Sequence, residues 1–278
     1  MKKLIIFTDL DGTLLDYSTY SFDAALPALQ LIKEKNIPLI ICSSKTRTEI
    51  EHYRKKLYNH YPFVSENGGG IFIPKGYFNF EPSDPGLVIE EDKQYYIIRL
   101  GAKYSDLRNT LNELRTEGFD IRGFGDMSVE EIASLTKLRK EEAEMAKDRD
   151  FDEPFVFTDG EKSVLKLLDK IKSKGFNYTQ GQFHHILGNS DKGKAISILT
   201  DLYRKDFCEI STIAIGDNPN DLPMLEKADI PVIVQKPDRS YEPMISLPNL
   251  RKADGIGPDG WNKAVIEIMK RFTNNDAN

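Results

Sequence analysis

Leu4-Ile5-Ile6-Phe7-Thr8-Asp9-Leu10-Asp11-Gly12-Thr13 governs the reading of the whole chain. Leu4 to Thr8 is a short apolar run flanked by charge, and such a run reads as a strand buried on both faces. It ends in two carboxylates one residue apart. In a parallel sheet the carboxyl ends of the strands form the ligand-binding edge. Gly12 allows a sharp turn and a close approach of the backbone to an anion. Asp9 and Asp11 repel each other, so both ionise comfortably only beside a cation. Asp-x-Asp alone also fits a solvated turn; the longer Asp-x-Asp-Gly-Thr directly after an apolar strand is far more specific.

Working outward, Ala25, Leu29 and Ile32 recur at helical spacing before the Asn36-Ile37-Pro38 break. Leu39 to Cys42 is a second buried run, and Phe63-Val64 makes a third. Between them Thr46-x-x-Glu49 is a capping box that opens a polar helix. Alternating strands and helices imply parallel βαβ units with right-handed crossovers. Ser43 and Ser44 follow the second strand, where a hydroxyl and helix N–H groups make either an anion site or an ordinary cap.

The character changes at Glu81-Pro82-Ser83-Asp84-Pro85-Gly86, a breaker-rich linker. Beyond it, strands are expected at Tyr95–Leu100, Phe119–Phe124, Phe155–Phe157 and Phe183–Leu187. Helices are expected through Leu107, Leu111 and Leu114, after the Ser128-x-x-Glu131 box, and over Glu161–Lys174. Lys137–Asp150 is densely charged and reads as a solvated helix face. The apolar pattern then returns. Asp191 caps a helix carrying Ile196, Ile198 and Leu199. Thr212–Ile215 is a strand that ends in Gly216-Asp217-Asn218-Pro219-Asn220-Asp221. Leu222–Lys227 reads as a short helix, Val232–Val234 as a strand and Trp261–Phe272 as a closing helix, with a frayed tail over Asn274–Asn278. The expected fold is therefore α/β: a doubly wound parallel-sheet core over 1–83 and 188–278, interrupted by an inserted α+β cap over 84–187.

The 278 residues carry 38 Lys plus Arg against 44 Asp plus Glu, a formal charge of −6. A binder of polyphosphate backbones is normally basic, so nucleic acid is not an expected partner. With 40% hydrophobic and 29% charged residues the chain is not wholly disordered. No apolar run approaches the roughly 18 to 20 residues a membrane span needs, and Asp9 and Asp11 cut short the signal-like start. Cys42 and Cys208 cannot build a disulfide framework or a multi-cysteine zinc site. A cytoplasmic location is expected, with no sequence signal for a particular oligomer.

Oxygen donors at the strand ends suit magnesium, which takes one or two carboxylates plus phosphate and keeps waters. Lys192, in Asn189-Ser190-Asp191-Lys192-Gly193, adds a point cation at a helix start. Four such pieces in this order resemble the haloacid dehalogenase superfamily phosphatases, whose motifs match Asp9-Leu10-Asp11-Gly12-Thr13, Ser43, Lys192, and Gly216-Asp217 with Asp221. The stretches Ser65-Glu66-Asn67-Gly68-Gly69 and Arg149-Asp150-Phe151-Asp152-Glu153-Pro154-Phe155 are similar, more narrowly, to the mannosyl-3-phosphoglycerate phosphatase family. Gln182 departs from that pattern, standing where relatives often carry Arg.

The resemblance implies a magnesium-dependent phosphatase that acts on a small phosphorylated glycosyl-glycerate, mannosyl or glucosyl, and yields a compatible solute. It implies Asp9 as nucleophile, Asp11 as acid and base, and Ser43 and Lys192 as holders of the phosphoryl oxygens. The implied metal site is Asp9, Asp11 through its backbone carbonyl, Asp217 and Asp221. Within it Asp221 orients a metal-bound water or Lys192. Substrate contacts are expected from Gly12, Ser44, Lys45, Arg47, Asn67, Arg149, Gln182, Asn189 and Asn220. Arg149 reads equally well as a grip on the glycerate carboxylate or as a solvated member of the charge run. His184 and His185 lie on one strand, so at most one faces a pocket, and packed or surface imidazoles are expected. Cys42 reads as a small buried hydrophobe and Trp261 as packing for the last helix. A broader sugar-phosphate phosphatase, a phosphomutase and a receiver-type signalling domain remain alternatives, although an acid–base Asp11 and a hundred-residue insertion disfavour the last.

Overall fold

A computed structural model describes residues 2–157 and 160–275. The chain opens with β1 (Lys3–Thr8), α1 (Leu26–Glu34), β2 (Leu39–Cys42), α2 (Arg47–Leu57) and β3 (Phe63–Ser65). Then come β4 (Gly70–Pro74), β5 (Val88–Glu91) and β6 (Tyr95–Arg99). The middle holds α3 (Tyr104–Thr116), β7 (Ile121–Gly123), α4 (Val129–Thr136), α5 (Lys140–Lys147), β8 (Asp152–Phe157), α6 (Gly160–Ser173), β9 (Asn177–Gln180) and β10 (His184–Leu187). The last part holds α7 (Lys192–Asp206), β11 (Ile210–Gly216), α8 (Leu222–Lys227), β12 (Ile230–Gln235), β13 (Arg251–Ile256) and α9 (Pro258–Asn275).

A nine-stranded sheet runs β13-β12-β11-β1-β2-β3-β4-β6-β5. From β13 to β3 neighbouring strands are parallel; β4, β6 and β5 extend the sheet antiparallel. β1 lies at the switch point, with the chain winding to β2 on one side and returning to β11 on the other. Its continuous apolar run is explained by two cores. Leu4 and Ile6 pack on one face with Ile50, Trp261 and Val265. Ile5 and Phe7 pack on the other with Ile196, Leu199 and Met224. Each face loses its water to helices, so no polar alternation survives in the strand.

A second, antiparallel sheet runs β7-β8-β10-β9. Leu107, Leu111 and Leu114 of α3, with Leu167 and Ile171 of α6, cover one of its faces against Ile121, Phe155 and Ile186. The Thr46–Glu49 and Ser128–Glu131 capping boxes both form, and the Asp191 side chain accepts from the Lys194 N–H. Among the described residues no helix is long and apolar enough to cross a membrane.

Several elements differ from expectation. The sheet does not change at residue 84: β5 and β6 pair onto β4 and continue the large sheet. Tyr95 packs there edge-on to both Phe63 and Phe72, which ties this hairpin to the first core. The Lys137–Asp150 run is not simply solvated. α5 buries Ala143 and Ala146, and Thr46 Oγ1 donates to the Met145 carbonyl at 2.9 Å. The strand expected at Phe119–Phe124 is confined to Ile121–Gly123. β4, β5, β9 and β13 were not expected. α9 reaches Asn275, and the rest of the tail, 276–278, lies outside the described residues.

Candidate active site

The carboxyl ends of β1, β2 and β11 and the start of α7 meet at one place. Asp9 still belongs to the β ladder through its N–H, which donates to the Ile215 carbonyl at 3.0 Å. Lys192, fully buried, lies 2.6 Å from Asp9 Oδ1 and 2.6 Å from Asp221 Oδ1. Asp217 accepts from Thr13 Oγ1 at 2.8 Å and from Asn218 Nδ2 at 2.8 Å. Asp221 Oδ2 accepts from the backbone N–H groups of Asp217 and Asn218 at 2.9 and 3.0 Å. Both its oxygens are thus engaged in holding Lys192 and the loop. Gly12 sits at φ +78°, and a Cβ there would come within 2.8 Å of Asp217 Oδ2. A side chain would displace that carboxylate and strain a left-handed backbone that glycine adopts freely.

Oxygens of Asp9, Asp217 and Asp221 lie within 4.8 Å of one another. Three carboxylates against one ammonium leave two formal negative charges in a buried place. Burial pushes Asp9 up to about 7, with Asp221 and Asp11 adding to the rise and Lys192 opposing it. Burial, followed by repulsion from Asp221 and Asp9, pushes Asp217 well above the carboxylate range. Burial would depress Lys192, yet Asp221 and Asp9 hold it raised. The donor set is all hard oxygen and the cluster is short of positive charge, which fits a hard divalent cation.

Beside this floor, Asp11 Oδ2 pairs with Lys45 at 3.1 Å, and Lys45 pairs with Glu49 at 3.2 Å. Burial raises the Asp11 pKa in spite of Lys45. Asp11 Oδ1 has no hydrogen-bond partner. A cavity of about 390 Å³ opens above. Its floor includes Asp9, Asp11, Lys45 and Glu49, and its roof comes from residues 124–185 of the inserted module.

Of the residues singled out from sequence, Asp9, Asp11, Ser44, Lys45, Arg149, Gln182 and Asn220 line this cavity. Ser43, Lys192, Asp217 and Asp221 are buried and do not line it. Arg47 is not brought to it: its guanidinium pairs with Glu51 at 3.0 Å and Asp92 at 2.7 Å and lies over the Phe72 and Tyr95 rings. Asn189 is also away from the cavity, its Oδ1 accepting from Lys194 Nζ at 2.9 Å. Asn67 is a buried link, donating to Asp152 Oδ2 at 2.9 Å and accepting from Asn220 at 3.0 Å. Arg149 is buried rather than solvated, pairing with Asp152 and donating to the Ser44 carbonyl at 3.2 Å.

His185 lines the cavity, with Nδ1 3.1 Å from Asp152 Oδ2, whereas His184 stacks on Phe155. Cys42 is buried, its thiol pushed up by desolvation. Trp261 packs as expected and also donates to Thr8 Oγ1 at 3.0 Å. Sequence reasoning missed Glu49, Asp152 and Glu66. Glu66 is fully buried and accepts from the N–H groups of Asp150, Phe151 and Asp152 at 2.8 to 3.1 Å. The one signal for it was its place in Ser65-Glu66-Asn67-Gly68-Gly69.

Residues 6–240 match the family model of haloacid dehalogenase-like hydrolases. A glucosyl-3-phosphoglycerate/mannosyl-3-phosphoglycerate phosphatase of Methanococcoides burtonii is 49% identical over 274 residues, covering 98% of this chain and 99% of the relative. The protein of the same description from Persephonella marina is 41% identical, covering 97% and 98%. Among solved structures, a Thermoplasma acidophilum protein superposes with a TM-score of 0.68 over 98% of this chain and 99% of its own, at 17% identity. That likeness is one of fold.

Proposed function

The chain belongs to the haloacid dehalogenase-like hydrolases and is a phosphoric monoester hydrolase, and on that premise we propose that it dephosphorylates glucosyl-3-phosphoglycerate and mannosyl-3-phosphoglycerate through a phosphorylated Asp9. The observation that carries this reading is the buried Lys192, 2.6 Å from both Asp9 and Asp221 under a cavity roofed by the insertion. Asp9 attacks phosphorus, and the bond from phosphorus to the glycerate oxygen breaks. A carboxylate has no proton to lose, so it needs shielding rather than a base. Lys192 supplies part of that shielding, and with Ser43 and N–H groups near Gly12 and Ser44 it holds the phosphoryl oxygens.

Asp11 gives its proton to the departing alcohol oxygen. Its burial-raised pKa supports its holding that proton. It then takes a proton from the water that attacks phosphorus, which frees inorganic phosphate and restores Asp9. Magnesium held by Asp9, Asp217 and the Asp11 carbonyl would offset the floor's negative charge and polarise the phosphoryl group. Asp221, saturated by Lys192 and two backbone N–H groups, holds Lys192 and this loop in place. The module from about residue 101 to 188 acts as the cap, excluding bulk water from the floor and reading the organic part of the substrate.

The test is phosphate release from both glycosyl-3-phosphoglycerates, set against a panel of simple sugar phosphates, with and without magnesium. Magnesium-dependent turnover concentrated on the two phosphoglycerates is expected. Comparable rates across the panel would replace this reading with a broad sugar-phosphate phosphatase.

A further inference from the structure

The floor and roof of the cavity carry opposite chemistry. Core residues bring three carboxylates, Asp9, Asp11 and Glu49, with Lys45 paired to the last two; the residues of the inserted module bring Lys137, Arg149 and His185 and no carboxylate. Two of these three basic groups share one anchor. Asp152 is fully buried and outside the cavity lining. One of its oxygens pairs with Arg149, and the other meets His185 Nδ1 at 3.1 Å and Asn67 Nδ2 at 2.9 Å. Burial would raise the Asp152 pKa, but Arg149, His185 and Asn67 together hold it below the usual range.

We propose that His185 reads the carboxylate end of the substrate and that Asp152 is the positioning residue that sets both His185 and Arg149 for that task. This rests on the glycosyl-phosphoglycerate reading given above. With Nδ1 committed to Asp152, the ring's only remaining polar atom is Nε2, which no described residue engages in a hydrogen bond. The carboxylate on Nδ1 keeps a proton there and fixes the ring plane, so Nε2 donates to a substrate carboxylate as the N–H of an imidazolium, a form that an anion on each ring nitrogen favours. Arg149 is fixed in the same way, with Nη1 on Asp152 and the Ser44 carbonyl and Nε on the Ala146 carbonyl at 3.1 Å. Its Nη2 is engaged by none of the described hydrogen bonds. A phosphoglycerate ester carries two anionic ends. The floor accounts for one; a roof that turns a guanidinium and an imidazole, and no carboxylate, to the cavity suits the other.

Asp152 is also coupled to the floor. Asn67 passes from Asp152 to Asn220 Nδ2, 3.0 Å away, and Asn220 is next to Asp221. The orientation of the roof groups is thus tied through one hydrogen-bonded chain to the loop that holds Lys192.

The experiment compares His185→Gln, Asp152→Asn and the double variant. Each is assayed for kcat/KM on glucosyl-3-phosphoglycerate and on p-nitrophenyl phosphate, which lacks the carboxylate. Binding of glucosylglycerate and of the neutral glucosylglycerol is measured by calorimetry. For His185→Gln the ratio of the two kcat/KM values is expected to fall about tenfold, mostly through KM, and the preference for glucosylglycerate over glucosylglycerol to shrink alike. Asp152→Asn should lower the same ratio, and the double variant should lose less than the product of the single losses. Equal losses on both substrates, or an unchanged preference in His185→Gln, would overturn the proposal, and that variant decides it even if Asp152→Asn fails to fold. Multiplicative losses in the double variant would remove Asp152 as the positioning residue. If the unaltered protein turns over neither phosphoglycerate, it is the substrate reading that fails instead.

Discussion

The floor of the cavity and its roof are built on different terms. The floor takes its polar groups from strand ends and one helix start, so Asp9, Lys192, Asp217 and Asp221 are placed by the parallel sheet itself. The roof takes its groups from the inserted module, where Arg149 and His185 are placed by a single buried carboxylate. The floor depends on how many charges it holds, and the roof on how they are oriented. The proposed chemistry is therefore common to any phosphate ester, whereas discrimination lies above it.

The largest effect should come from the floor. Asp9→Asn keeps the shape and removes the attacking oxygen, so turnover should fall about 10⁴-fold or more on every substrate. Near-normal activity on any phosphate ester would break the assignment of chemistry to the floor. Asp217→Ala is next. It should cost about 10²-fold at low magnesium, with partial recovery as magnesium is raised. Full activity of the unaltered protein in excess chelator would remove the metal from the account.

The floor should also show itself in stability. Asp9 shifts from the ordinary 3.8 up to about 7 on folding without metal. The folded state therefore binds more protons, and stability falls as pH rises between those values. Bound magnesium would cancel this by favouring the ionised carboxylates. Added magnesium should raise the Tm more at pH 8 than at pH 5, and an equal rise at both would contradict the charge balance proposed for the floor.

At the roof, Arg149→Ala should lose a charged hydrogen bond worth roughly 1.5 to 3 kcal/mol. This corresponds to about ten- to a hundredfold in kcat/KM on the phosphoglycerate relative to an aryl phosphate. Equal losses on both substrates would return Arg149 to a structural role. The smallest effect is expected where module and core touch. Thr46→Ala removes the cap of α2 and the bond to the Met145 carbonyl. It should cost about 1 kcal/mol of stability, read by denaturant unfolding, without changing the ratio of activities on the two substrates.

The same contrast governs what the sequence discloses. Asp9, Asp11 and Thr13 lie within five residues, as do Asp217 and Asp221, and each group follows an apolar run with the unbroken pattern of a doubly buried strand. Short spacing and the strand-end position made the floor legible. Capping boxes at Thr46 and Ser128 were legible for the same local reason. Apart from Arg149 and Asp152, three residues apart, the roof is assembled from pairs far apart in the chain. His185 meets Asp152 from 33 residues away, and Glu66 takes up the N–H groups of 150–152 from more than 80 residues away. Neither pairing leaves a periodic trace. β13 escaped notice because Arg251-Lys252-Ala253-Asp254-Gly255-Ile256 is a polar edge strand with little apolar signal. Arg47 misled in the opposite sense: it sits beside Ser43 and Ser44 in sequence, but as the first residue of α2 its side chain leaves toward Glu51 and Asp92.

The central claim, a phosphoryl group carried on Asp9, is tested most directly in Asp11→Asn with an aryl phosphate. A good leaving group needs no proton from residue 11, while the second step loses its base. After a single turnover and acid quench, one equivalent of phenolate should be released and one phosphoryl group should be found by mass spectrometry on the peptide containing Asp9. Phenolate released together with free phosphate, with no peptide modified, or a phosphoryl group on any other residue, would contradict it.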